Sequence, residues 1–401
     1  MVENMKFKDS PIKRLSILGS TGSVGRNTLE VIRHHRHQFE VIGLAAGRNV
    51  NVLIEQALEF RPQYVSLNSA SEADIFRSQN PDPQIQVLVG SSGAEQIASL
   101  PENDIVVSAI TGIDGLKPTL KAIEMGKRVA LANKESMVVA GPFLQQLARQ
   151  SGAEIIPVDS EHSGIYQCLR KERPEDIKKV VLTASGGPFF RYSPEQMKAV
   201  TLEDTLHHPR WEMGRKITVD SATMMNKGLE LIEARWLFNL APEQLDVVVH
   251  PQSIIHSLVE LRDGSLLAQL SPTDMKIPIQ YALTAPYREN SFLPPLDLKK
   301  IIKFEFYEVD IEKFPLFKLA REALTQDLSF SVFLNGANEE AVAAFLRQEI
   351  NFYDLVTIVL KIIDQHQPQK VNSLESIFEI DHLARQLTKK FISQWMRGKE
   401  K

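Results

Sequence analysis

Cysteine is almost absent: the 401-residue chain has one, Cys168. A lone thiol excludes an intramolecular disulfide framework and fits a reducing cytosol. Long hydrophobic runs are missing too, and no stretch approaches the ~20 apolar residues that span a bilayer. Residues 1–14 are polar, carry both charge signs and lack an apolar core, so neither a signal nor a transit peptide is expected. Positive charge is not in excess. A formal net charge of −4 argues against a general nucleic-acid binder. The expected setting is cytoplasmic, with no nucleic-acid or membrane partner. The one basic cluster, Arg33-His34-His35-Arg36-His37, falls near the end of a predicted helix and reads as solvated cations.

What is present is a chain too long for one core, so two or three domains are expected. Short apolar runs at 15–18, 41–45, 64–67, 104–109 and 128–132 alternate with helical stretches at 27–33, 52–60 and 116–125. That alternation predicts a Rossmann-like, doubly wound parallel sheet over residues 1–159. Strand patterns then recur at 179–184, 246–249, 254–261 and 266–270, with Asp263-Gly264 as a hairpin turn between the last two. One long helix is expected over 222–238. This makes 160–284 an α+β domain with a partly antiparallel sheet. Residues 285–310 read as a linker and 311–401 as a C-terminal helix bundle, with Leu383, Leu387, Phe391 and Trp395 as one apolar stripe and Val342, Phe345 and Leu346 as another.

Between the first strand and first helix lies Gly19-Ser20-Thr21-Gly22-Ser23-Val24-Gly25. Small residues let the backbone approach a pyrophosphate while the helix N-terminus supplies N–H groups; a tight turn is the plainer alternative. The spacing is one residue longer than the usual dinucleotide fingerprint. The second strand ends in Ala45-Ala46-Gly47-Arg48-Asn49, with no acid to hold the ribose hydroxyls of NAD. Arg48 can instead pair with the 2′-phosphate of NADP, so NADPH is favoured.

Asp159-Ser160-Glu161 follows the apolar strand Ile155-Ile156-Pro157-Val158. If the chain stays extended, both carboxylates point the same way, and two hard oxygen donors can hold Mg²⁺ or Mn²⁺. A second dense constellation is Ser221-Ala222-Thr223-Met224-Met225-Asn226-Lys227-Gly228-Leu229-Glu230. Ser221 is expected to N-cap the long helix, with Asn226, Lys227 and Glu230 on one face and Glu233 as a rival ligand one turn on. Gly228 inside the helix costs ~1 kcal/mol against Ala and implies a close neighbour. Thr183-Ala184-Ser185-Gly186-Gly187-Pro188-Phe189 ends a strand in a turn that can offer N–H groups and a hydroxyl to a phosphate. His207-His208-Pro209-Arg210-Trp211-Glu212-Met213-Gly214 reads as a lid, or as a partner-binding loop.

These residues resemble the 1-deoxy-D-xylulose 5-phosphate reductoisomerase family over nearly the whole chain. The resemblance is carried by the glycine motif from Gly19 to Gly25, by Ala132-Asn-Lys-Glu-Ser136, by Pro157-Val-Asp-Ser-Glu-His162, and by Leu182-Thr-Ala-Ser-Gly-Gly-Pro-Phe189. It continues through Asn226-Lys-Gly-Leu-Glu230 and His250-Pro-Gln-Ser-Ile-Ile-His-Ser257. It implies an NADPH- and divalent-metal-dependent conversion of 1-deoxy-D-xylulose 5-phosphate to 2-C-methyl-D-erythritol 4-phosphate by a homodimer. By resemblance, Asp159, Glu161 and Glu230 ligate the metal, and Ser185, Ser221, Asn226, Lys227 and His208 hold the phosphate. Lys134 and Ser160 touch the reacting oxygens, with Lys134, Glu161 and His208 in the catalytic set and Trp211 and Met213 in the lid. Thr21, Gly22, Ser23, Val24, Gly47, Arg48, Asn49, Asn133, Glu135 and Gly214 are the implied cofactor contacts. Departures are few: the family often has a small polar residue where Glu212 stands, and lysine where Arg48 stands.

Two other readings use a similar cofactor domain. A semialdehyde or homoserine-type dehydrogenase is one, although the semialdehyde case needs a nucleophilic cysteine and Cys168 sits in an ordinary apolar pattern. A non-catalytic NADP-binding sensor is the other, and the intact carboxylates argue against it.

Overall fold

In a computed structural model, residues 11–80, 82–301 and 303–399 are described. Two compact units form, each drawn from separate stretches of sequence. The first takes residues 11–136, Pro142–Ser163 and Asp274–Pro295; the second takes Met137–Gly141, Gly164–Thr273 and the chain from Leu296 onward. Among the described residues no helix is long and apolar enough to cross a membrane.

The first unit is built on strands β1 (Lys13–Leu18), β2 (Phe39–Ala45), β3 (Tyr64–Leu67), β4 (Gln86–Val89), β5 (Ile105–Ser108), β6 (Arg128–Leu131) and β7 (Glu154–Pro157). They form one seven-stranded sheet in the order β4-β3-β2-β1-β5-β6-β7, and every pairing is parallel. Parallel strands need crossovers, and helices such as Ser23–His34 and Val50–Phe60 supply them. Strand order reverses at β1, the topological switch point where α/β sheets bind ligands beyond the carboxyl ends of their strands. Leu15, Ile17, Leu44, Val65, Val106 and Val129 are fully buried, as a sheet covered on both faces requires. The returning segment adds the helix Lys276–Thr284, whose Lys276 reaches Glu30 at 3.1 Å on the Ser23–His34 helix.

The second unit holds β8 (Ile177–Ala184), β9 (Leu245–Val249), β10 (Ile255–Leu261) and β11 (Leu266–Leu270) in the order β11-β10-β8-β9. β10 pairs antiparallel with β8 and β11, and β9 pairs parallel with β8. The hairpin forms at Asp263-Gly264, with Gly264 at φ +87°. Helices Pro315–Glu322, Leu328–Leu346, Phe352–Ile363 and Leu374–Lys399 complete the unit.

Three helical expectations are corrected. The helix anticipated over 222–238 is two helices, Arg215–Ala222 and Met225–Leu237, broken at Met224, whose φ of +61° is left-handed. Ser221 therefore lies in the last turn of the first helix and caps nothing. The stripe from Leu383 to Trp395 is displaced: Leu383 is exposed, while Ile377, Ile380, Asp381, Ala384, Thr388 and Ile392 face the core. The small residues decide this, because a Cβ on Gly336 would lie 3.1 Å from Ala384 Cβ, and only a small side chain admits that approach.

Candidate active site

All the expected cofactor positions of the 11–163 stretch, Gly214 apart, sit at the carboxyl ends of the parallel strands. The glycine loop follows β1, and its Gly19 and Ser20 N–H groups donate to Ala45 O, the last carbonyl of β2, at 2.8 and 2.9 Å. A side chain at Gly19 would collide with Ala109 O at 2.5 Å, just past β5, so three strand ends converge on a residue without Cβ. Gly22 precedes the Ser23–His34 helix, leaving Thr21, Ser23 and Val24 around its first turn, where N–H groups and the positive dipole end favour an anion. Gly47, Arg48 and Asn49 are exposed beyond β2, and Asn49 caps the Val50–Phe60 helix by accepting from the Val52 N–H at 3.4 Å.

Asn133 has a structural duty. Buried at the start of the Lys134–Ser151 helix, it accepts from Ser136 N–H at 2.9 Å and donates to the Ile110 and Gly112 carbonyls at 2.6 and 2.9 Å. That clamp fixes the two residues after it, Lys134 and Glu135, both buried.

Asp159 and Glu161 adjoin as expected, but not by strand alternation. β7 ends at Pro157, and the helix Ser160–Leu169 begins directly after Asp159, whose carbonyl accepts from Ser163 N–H at 2.8 Å. Glu161 is thus a first-turn helical residue, and the Ser160 hydroxyl donates to its carboxylate. The local reason is that Asp favours the position before a helix, where its side chain also takes the Ser160 N–H at 3.0 Å. A cation is drawn to this place: Lys134 Nζ lies 2.5 Å from Asp159 Oδ2, which is buried. Hard, anionic oxygens that attract an ammonium suit a small divalent ion.

In the second unit, Glu230 is a buried carboxylate on the Met225–Leu237 helix. The Asn226 amide and the Lys227 ammonium both bond to it, so the expected shared face exists. Because the helix begins at Met225, Asn226 and Lys227 occupy its first turn rather than its middle, and the dipole there favours a phosphate. Gly228 does have a close neighbour, but it is a helix: a Cβ would stand 2.3 Å from Ala320 Cβ on Pro315–Glu322.

Ser185 follows β8. Its Oγ lies 3.0 Å from His208 Nε2 and accepts from Gly187 N–H at 3.2 Å, and a Cβ on Gly187 would meet Ser221 O at 2.4 Å. Ser185, His208 and Ser221 are therefore neighbours. His208 Nδ1 accepts from the N–H groups of Arg210 and Trp211 at 3.2 and 2.9 Å. Two donors at Nδ1 leave the proton on Nε2, which then donates to Ser185. Burial lowers the imidazole pKa to about 4, so His208 is neutral near pH 7. The 207–214 loop contacts residues 250–257: Arg210 Nε donates to Pro251 O at 3.0 Å, and the Trp211 ring meets His256 edge-on at 6.2 Å. Met213 is half-buried, and Gly214 precedes the Arg215–Ala222 helix.

Sequence reasoning missed an ion pair beside Ser221. Lys216 Nζ lies 3.1 Å from Asp220 Oδ2, and Asn338 Nδ2 donates to Asp220 Oδ1 at 2.8 Å. The four-residue spacing of Lys216 and Asp220 was a readable signal; Asn338 had none.

Three family models match in chain order: 1-deoxy-D-xylulose 5-phosphate reductoisomerase at residues 15–141, its C-terminal domain at 155–238, and a DXP reductoisomerase C-terminal domain at 270–387. The reductoisomerase of Chlorobium phaeovibrioides is 48% identical over 383 residues, covering 95% of this chain and 100% of the relative. The chain belongs to the 1-deoxy-D-xylulose 5-phosphate reductoisomerase family. The reductoisomerase of Endomicrobium trichonymphae is 45% identical over 385 residues, covering 96% and 100%. A crystal structure of DOX-P reductoisomerase with NADPH, fosmidomycin and magnesium is 41% identical and superposes with a TM-score of 0.89, covering 95% of this chain and 98% of the other. The reductoisomerase of Zymomonas mobilis, in complex with NADPH, has a TM-score of 0.88 at 39% identity, covering 95% and 99%. The fold and family expectations from sequence hold, and neither dehydrogenase nor sensor is favoured.

Proposed function

We propose that this reductoisomerase-family chain converts 1-deoxy-D-xylulose 5-phosphate to 2-C-methyl-D-erythritol 4-phosphate with NADPH and Mg²⁺ or Mn²⁺. The observation that carries the reading is the end-to-end match at 48% identity, with every expected metal and phosphate residue present in this chain. Asp159, Glu161 and Glu230 are the proposed metal ligands, and the ammonium groups already drawn to Asp159 and Glu230 support a cation at these carboxylates. When bound, the metal supplies Lewis-acid polarisation of carbonyl and hydroxyl oxygens, and NADPH supplies hydride.

The residues of the chain supply binding, orientation and exclusion of water. Ser185, Ser221, Asn226 and Lys227 grip the phosphate, and that remote binding energy is available to orient the reacting carbons. His208 offers its Nε2 proton as a neutral donor, able to pass from Ser185 Oγ to a phosphate oxygen. Trp211 and Met213 close over the site, and Lys134 and Ser160 address the reacting oxygens. Thr21, Gly22, Ser23, Val24, Gly47, Arg48, Asn49, Asn133, Glu135 and Gly214 are the proposed NADPH positions.

The enzyme is proposed to act in the cytoplasm as a homodimer. β11 supports the second part: it is the outer strand of its sheet, with Leu266 and Leu270 exposed, and an apolar edge is protected by pairing. The test is NADPH absorbance with purified protein, the sugar phosphate and Mg²⁺ or Mn²⁺, beside a chelator control. Oxidation that requires both sugar and metal is expected. No oxidation with metal and cofactor bound would remove the assignment.

A further inference from the structure

Resting on the sugar-phosphate reading above, we propose that Asn338, in the C-terminal helices, is a positioning residue that sets the phosphate grip through Asp220. Asp220 is 1% exposed and precedes Ser221 in the Arg215–Ala222 helix. A buried carboxylate persists only when each oxygen is served. One oxygen takes Lys216 at 3.1 Å, two residues beyond the lid's Gly214, and the other takes the Asn338 amide at 2.8 Å.

The bond continues beyond the side chain. The Thr223 hydroxyl donates to the Asp220 carbonyl at 3.2 Å and accepts from Met225 N–H at 3.3 Å. Met224 N–H returns to Ser221 O at 3.1 Å. Thus the residue held by Asn338 is tied by a short covalent and hydrogen-bonded path to Ser221 on one side of the left-handed break, and to the helix start carrying Asn226 and Lys227 on the other. Lys216 links the same carboxylate to the exit of the lid. The Leu328–Leu346 helix keeps Ser329, Ser331, Asn335, Asn338 and Glu340 buried among its apolar residues, and polar groups there need a partner to be tolerated. For Asn338 that partner is Asp220.

The test compares wild type, Asn338→Leu, which keeps the volume and removes the donor, and Lys216→Gln, which removes the charge but keeps an amide able to donate to Asp220. Steady-state constants for both substrates and titration of inorganic phosphate are measured on the full chain. Expected is a rise of about tenfold in KM for the sugar phosphate, equivalent to about 1.4 kcal/mol, with the phosphate dissociation constant rising in parallel and KM for NADPH unchanged. Reduced melting temperature with both KM values unchanged would make Asn338 a packing residue only and overturn the proposal, as would a joint rise in both KM values. Should Asn338→Leu fail to fold, Lys216→Gln decides by the same criteria. If wild type binds phosphate without turning over the sugar, the reductoisomerase reading fails while the phosphate comparison still decides the role of Asn338. If wild type binds no phosphate, both fall.

Discussion

Replacing Gly228 by alanine tests the packing beneath the phosphate grip. The new Cβ would stand 2.3 Å from Ala320 Cβ, whereas non-bonded carbons rest at about 3.5–4.0 Å. Neither atom can rotate away, because both are fixed to helical backbone, so the Met225–Leu237 and Pro315–Glu322 helices must part by about 1.2 Å. Overpacking of this kind costs about 1–3 kcal/mol, and the rigid contact places it near the top of that range. Alanine returns about 1 kcal/mol of helix propensity. The net loss is about 2 kcal/mol, or a fall in Tm of about 4–8 °C for a unit of this size. Gly228 also lies between Lys227 and Glu230, and a displacement of about 1 Å at such residues can cost about a hundredfold in turnover. Calorimetry with parallel NADPH kinetics measures both effects. A rise in Tm would show propensity winning over contact, and the argument that the helices touch at Gly228 would be refuted.

Other outcomes follow from the same geometry. Glu230→Gln should leave NADPH affinity near normal while metal-dependent turnover disappears; retained turnover would remove Glu230 from the ligand set. Burial lowers His256 to a pKa of about 4 from an ordinary 6.5, so its unfolded form takes the proton first as pH falls. Its contribution is intact above about pH 6.5 and is lost toward pH 4, up to about 3 kcal/mol, with His208 adding a change of the same sign. Denaturant unfolding at pH 7 and pH 4.5 reads this, and equal stabilities would refute it. Cys168→Ala should leave both KM values and kcat unchanged, whereas lost activity would revive a thiol mechanism.

Much of the first sheet was legible because strands buried on both faces read as short runs dominated by apolar residues, as at Leu15–Leu18 and Ile105–Ser108. β4 was missed because Gln86-Val87-Leu88-Val89 is short and its side chains stay half-exposed, leaving little pattern. Asp159 and Glu161 were found for a wrong geometric reason: both a strand and a helix start place them close together. The break at Met224 was invisible because a left-handed methionine carries no propensity signal, and the helix-start position of Asn226 and Lys227 went with it. Asn338 lies 118 residues from Asp220, and nothing local connects the two.

The first unit is closed by a segment that returns late in the chain, and this matters for synthesis. Its Lys276–Thr284 helix buries Ile279, Tyr281 and Leu283, and its Gln280 meets His35 at 3.2 Å. Between Ser163 and the end of that segment at Pro295 the ribosome must add roughly 130 residues. At about 5–20 residues per second, the nascent sheet waits about 7–26 s with that face uncovered. A protein truncated after residue 163 would keep every strand of the dinucleotide fold and still lack the helix that finishes it. Isolating the cofactor unit therefore calls for grafting Asp274–Pro295 back onto it rather than for a simple cut.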